Sequence, residues 1–161
     1  MADAMNHGDE EITTMSSSLV VDRMLLLLQE KPSDLEITVL QSGDKKVACF
    51  GDVDVNQAIV LADGHLGLDA RAFPWIVREI RRIYHILKEM MKKGQEMPPY
   101  SMMQVTSCLL LVNPDHSTGW ADRRLSLLKE TESCDLSAQK ILLWQDEISF
   151  LNLLMTQHSK A

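Results

Sequence analysis

From Pro74 onward, apolar residues recur at intervals of three and four, in stretches cut by Gly94, by Pro98-Pro99 and by Asn113-Pro114. A helix of 3.6 residues per turn places such residues on one side, so each uninterrupted stretch predicts a helix with one apolar stripe. The first begins at Pro74, a residue suited to a first turn because its missing N–H would have no acceptor there. Its stripe is Ile76, Ile80, Ile83, Leu87 and Met90. A second helix, about 101–111, carries Met102, Val105, Leu109 and Val112 and stops at Asn113-Pro114, where proline disfavours helical geometry in the residue before it. A third runs from about Thr118 to Lys129 and brings Trp120, Arg124 and Leu127 close together. The fourth, about Ser137 to His158, carries Ile141, Trp144, Ile148, Leu151 and Met155. Its 22 or so residues make a rod roughly 33 Å long.

The first part of the chain has a different texture. Residues 1–16 are polar, acidic and unpatterned, and read as a disordered leader. The Ser16-Ser17-Ser18 run can cap a helix over about Leu19–Gln29, which Pro32 ends. Glu36–Gln41, the turn Ser42-Gly43-Asp44 and Lys45–Phe50 then read as a small β-hairpin near residues 36–50. A further extended run, Ala58–Ala62, precedes Asp63-Gly64 and can add a strand.

Composition agrees with a mainly α chain. Aromatic residues are 5%, so leucine and methionine carry most of the apolar content, and these favour helices over sandwiches or barrels. The net charge of −7 argues against a generic nucleic-acid binder. Yet the stretch from Arg71 to Lys93 holds seven basic and two acidic residues. Cys49, Cys108 and Cys134 form no Cys-x-x-Cys pair and read as reduced thiols of a cytoplasmic protein, with Cys108 a buried apolar-run residue. The first 22 residues lack Lys and Arg, unlike a secretory signal or transit peptide, and Met24–Leu28 is too short to span a bilayer. The histidines have no paired ligand spacing, which points to no metal site. Gly64-His65-Leu66-Gly67 lacks the lysine and Ser/Thr of a phosphate loop, and no nucleophile elbow is present.

The segment Leu110-Leu111-Val112-Asn113-Pro114-Asp115-His116-Ser117-Thr118-Gly119-Trp120-Ala121-Asp122-Arg123-Arg124 resembles the repeat of protein prenyltransferase alpha subunits. The shared pattern is an apolar helix ended by Asn113-Pro114, a five-residue gap, Trp120, two residues, then Arg123 and Arg124. Each part has a mechanical use. Asn-Pro stops one helix, the gap turns the chain through an antiparallel hairpin, Trp120 fills the groove between the rods, and one arginine can reach helix-end carbonyls. The run from Leu61 through Gly64, Leu66-Gly67 and Trp75 to the Tyr84 helix is similar to one branch, the alpha-subunit repeat-containing protein 1 group. The last twelve residues look like the first helix of another repeat. Departures occur at Ser117, where the family often has Tyr, and at Ala121, where it often has Asn or His.

The resemblance, over about residues 60–161, implies antiparallel helical hairpins of an α-α superhelix (TPR-like). Residues 17–161 would form the first part of such a domain, with a complete repeat at about 101–130 and a partial one at about 137–161. It implies a truncated, non-catalytic scaffold subunit. A prenyltransferase beta subunit would be its partner, and a prenylated substrate protein would be shared by the two. No catalytic residue carries over, because the family's supporting lysine belongs to a later loop and the matching loop here reads Asp115-His116. Zinc would sit in the beta subunit, leaving no cofactor in this chain. An alternative is a non-enzymatic helical-repeat adaptor binding a protein or peptide. Arg78, Arg81, His85, Lys88 and Lys92 lie along one side of their helix, either as a solvated face or as an electropositive strip for an acidic partner or an isoprenoid diphosphate. If further helices of the array are missing, Ile141, Trp144, Ile148 and Leu151 should lie exposed.

Overall fold

The computed structural model describes residues 18–38, 54–95 and 99–159, with no account of the side chains of 157–159. Among these residues are six helices and three strands: α1 (Leu19–Gln29), β1 (Asp34–Thr38), α2 (Val55–Ala58), β2 (Ile59–Ala62), β3 (His65–Asp69), α3 (Phe73–Lys93), α4 (Met102–Val112), α5 (Ser117–Ser133) and α6 (Ser137–Ser159). The chain is mainly helical with one small sheet. The acidic leader, Cys49 and the turn and second arm of the expected 36–50 hairpin lie outside the described residues.

Helix ends fall where local chemistry puts them. Ser18 caps α1, its hydroxyl accepting from the Val21 N–H, and α4 opens with a reciprocal capping box between Ser101 and Gln104. Pro74 lies in the first turn of α3. Gly94 ends that helix in the left-handed region at φ 63°, where its N–H reaches the Met90 and Met91 carbonyls.

The sheet differs from a simple hairpin. Its order is β1-β3-β2. Asp63 and Gly64, with φ of 51° and 80°, make the two-residue turn between antiparallel β2 and β3. Among the described residues β1 pairs with β3, in parallel, with Leu35 opposite Leu66 and Ile37 opposite Leu68. The parallel partner lies across a long connection, so the pairing is set by tertiary packing: Leu35, Leu66 and Leu68 are buried, and α6 packs against β1.

α4 is the centre of the molecule. It packs on α1, α3, α5 and α6, and eight of its eleven residues are buried. The stripe Met102, Val105, Leu109 and Val112 is therefore only part of its buried surface. Thr106, Cys108, Leu110 and Leu111 are covered too, as expected of a helix surrounded on every side. On α6 the stripe picked out by sequence spacing is the exposed one. Glu147, Phe150, Leu153 and Leu154 face inward, while Ile141, Trp144, Ile148, Leu151 and Met155 face out.

Candidate functional site: the hairpin turn and its buried arginine

Asn113 leaves helical geometry (φ −147°, ψ 79°) while its N–H still reaches the Leu109 carbonyl. Three residues later His116 caps α5, its Nδ1 accepting from the Gly119 N–H at 2.9 Å. Gly119 is where the two helices come close. A Cβ there would lie 3.1 Å from Leu109 Cδ2 and 3.1 Å from His116 Nδ1. Trp120 packs partly buried against the core, and its indole Nε1 donates to the Pro114 carbonyl at 2.7 Å. The ring thus bridges the stop of α4 and the first turn of α5.

Arg123 is buried, three residues beyond the indole. Its Nε and one terminal nitrogen form a forked pair with Glu147 of α6, at 3.0 and 2.6 Å. The other terminal nitrogen donates to the Met103 carbonyl at 3.0 Å and the Ser107 hydroxyl at 2.8 Å, both in α4. The guanidinium also lies 4.0 Å from the Phe150 ring centre. One side chain of α5 therefore holds two other helices. Two buried charges persist because they meet as a forked pair and each guanidinium nitrogen has an acceptor. Arg124, by contrast, is exposed.

A second polar cluster ties α3 to α5. The Tyr84 hydroxyl donates to the Asp122 carboxylate, which Lys88 also approaches at 2.9 Å. The Tyr84 and His116 rings meet edge to face at 5.4 Å. Burial and the bond to Asp122 push the Tyr84 phenol well above its ordinary range. Burial pulls Asp122 upward, but the bonds from Tyr84 and Lys88 outweigh it and leave the carboxyl below its usual value.

The basic strip on α3 is accordingly divided. Lys88 belongs to the Asp122 cluster, and Lys92 pairs with Glu89 at 2.9 Å. Arg78, Arg81 and His85 lie exposed, with His85 beside the Tyr84 ring. Burial pushes the Cys108 thiol up to about 12, which makes it a poor nucleophile. Among the described residues no three His, Cys, Asp or Glu side chains group to hold a metal ion, and no helix is long and apolar enough to cross a membrane.

Behind Arg123 lies an open groove of about 790 Å³ between α1, α4 and α6. Leu25, Leu28, Met103, Phe150 and Leu153 supply apolar walls, and Arg123 and Glu147 line it as well. An exposed Lys31–Asp146 pair, 3.5 Å apart, stands at its edge. Sequence reasoning found Trp120 and Arg123 but not Glu147 or the groove. The available signal was Leu143, Glu147, Phe150 and Leu154, a second helical stripe carrying one acid. No family model matches the chain, and no curated protein matches it.

Proposed function

We propose that this chain is an alpha-type, non-catalytic scaffold subunit of a cytoplasmic protein prenyltransferase. In this reading α4 and α5 form one hairpin of a TPR-like α-α superhelix, and α6 opens the next. A beta subunit would carry zinc and the transfer chemistry, attaching an isoprenoid to a substrate cysteine. This chain would brace that partner and help shape the protein-substrate side.

The observation that supports the reading most is the conjunction around residues 113–123. A proline-stopped helix, an indole hydrogen-bonded back across the turn, and an arginine reaching the following helix occur in the order and spacing of the resembled repeat. A hairpin that hands one buried side chain to its successor is built for stacking. Arg78, Arg81 and His85, exposed on α3, are the proposed partner contacts.

The 790 Å³ groove favours a second reading, a non-enzymatic adaptor that takes a protein or peptide segment between α1 and α6. Co-purification with a prenyltransferase beta subunit, followed by an isoprenoid-transfer assay on a cysteine-containing acceptor protein, separates the two. Complex formation with transfer is expected. Binding without transfer supports the adaptor, and absence of binding contradicts the scaffold.

A further inference from the structure

The outer face of α6 is a long apolar surface that no described element covers. Ile141, Trp144, Ile148, Leu151 and Met155 are 57, 44, 56, 37 and 69% exposed. Their intervals are three, four, three and four residues, the 3.5-residue period at which two helices share a seam along their length. The two acids of this stretch turn the other way, Asp146 toward Lys31 and Glu147 toward Arg123. Beside the stripe stand uncharged Gln145 and Asn152. An exposed helix face ordinarily carries charge, and this one carries none between Ile141 and Met155.

The five side chains leave roughly 550 Å² uncovered, at the upper end for the largest patch of a monomer. With Gln145 and Asn152 the strip approaches the 800 Å² or so per partner of a standard interface. We infer that this face is a self-association seam, on which the same face of a second copy of this chain lies antiparallel.

An identical face suits the stripe for three reasons. It offers no charge with which to select an acidic or basic partner, and it sets no like charges against each other when self-paired, although the chain as a whole carries −7. A two-fold axis between residues 149 and 150 sets Ile148 against Leu151 of the second copy and Trp144 against its Met155. Two Ile148–Leu151 layers then lie between two Trp144–Met155 layers, and a thioether meets each indole. A parallel pair would instead bring the two Trp144 rings to one level and align the helix dipoles unfavourably. The inference does not need the prenyltransferase reading, in which a further helix of the array would cover this face instead.

Sedimentation equilibrium of the full chain tests it. The mass should rise with concentration from 18.2 kDa to twice that value. Ile148→Glu, at the middle of an exposed stripe, should weaken association at least about tenfold with an unchanged circular dichroism spectrum. Leu125→Glu, exposed on α5, should leave association intact. Oxidising a mixture of Trp144→Cys and Met155→Cys chains should give a 144-to-155 cross-link by peptide mass spectrometry. A chain that stays monomeric, a dimer that survives Ile148→Glu, or cross-linking of 144 to 144 would overturn the seam.

Discussion

α4 and α6 are both rich in apolar residues, yet α4 is covered on nearly every side and α6 on one. What separates them is the number of neighbours. α1, α3, α5 and α6 surround α4, whereas α6 rests on α4, α5 and β1 and leaves its other side to solvent. A second difference concerns polarity. The buried polar residue of α4, Thr106, donates its hydroxyl proton to the Met102 carbonyl one turn back in its own helix, while the buried acid of α6 needs a partner from another helix. Internal satisfaction lets a helix sit at the centre. External satisfaction makes a helix a docking element whose position depends on the group it meets.

The largest expected contrast comes from truncating one aliphatic side chain on each helix. Leu109→Ala, at the centre of α4, should cost about 2–5 kcal/mol in urea unfolding, through lost burial and the cavity left behind. Ile141→Ala, on the open face of α6, should stay within about 0.5 kcal/mol in dilute solution. Equal losses would mean that α6 is covered by something else. A smaller effect tests the turn that joins the two environments. His116→Ala removes the cap on α5 and should cost about 1 kcal/mol, while His116→Asn, which can accept the same N–H, should recover most of it.

The bounds of α1, α3 and α4 were legible because their punctuation is local, whereas α2 was not foreseen and α5 runs on to Ser133. Ser18, Gly94 and Asn113-Pro114 each act within a turn of the end they define. β3 was not legible as a strand. Its Gly67 weakens the pattern, and its pairing with β1 spans about thirty residues, a distance that periodicity does not report. On α6 the sequence offers two stripes at helical spacing, and the more apolar one faces out. The inward stripe carries Glu147, which reads as a surface residue until Arg123 is seen beside it. Of the site, Trp120 and Arg123 were visible from their spacing, whereas Tyr84, Lys88 and Asp122 meet only because α3 and α5 pack together.

A further effect is confined to alkaline pH. The Tyr100 hydroxyl accepts from the Ser18 N–H and donates to Asp22, linking the start of α1 to the approach to α4. Burial first, then the bond to Asp22, pushes its pKa up to about 12. The folded state thus holds this proton more tightly than the unfolded chain, whose phenol titrates near 10. Its contribution is complete below pH 10 and is lost as pH rises toward 12. Tyr100→Phe should flatten the fall in stability over that window, as measured by urea midpoints. An unchanged slope would place the ionisation elsewhere.

The reading of α4, α5 and α6 as stacked members of one array depends on Arg123 reaching from the hairpin to Glu147 of the next helix. A double-mutant cycle in urea unfolding, with Arg123→Met, Glu147→Leu and the two combined, measures that dependence directly. Each single change should strand a buried charge, and the pair together should lose no more than the worse single variant. Losses that simply add would show that the two side chains do not hold the helices together, and would contradict the account.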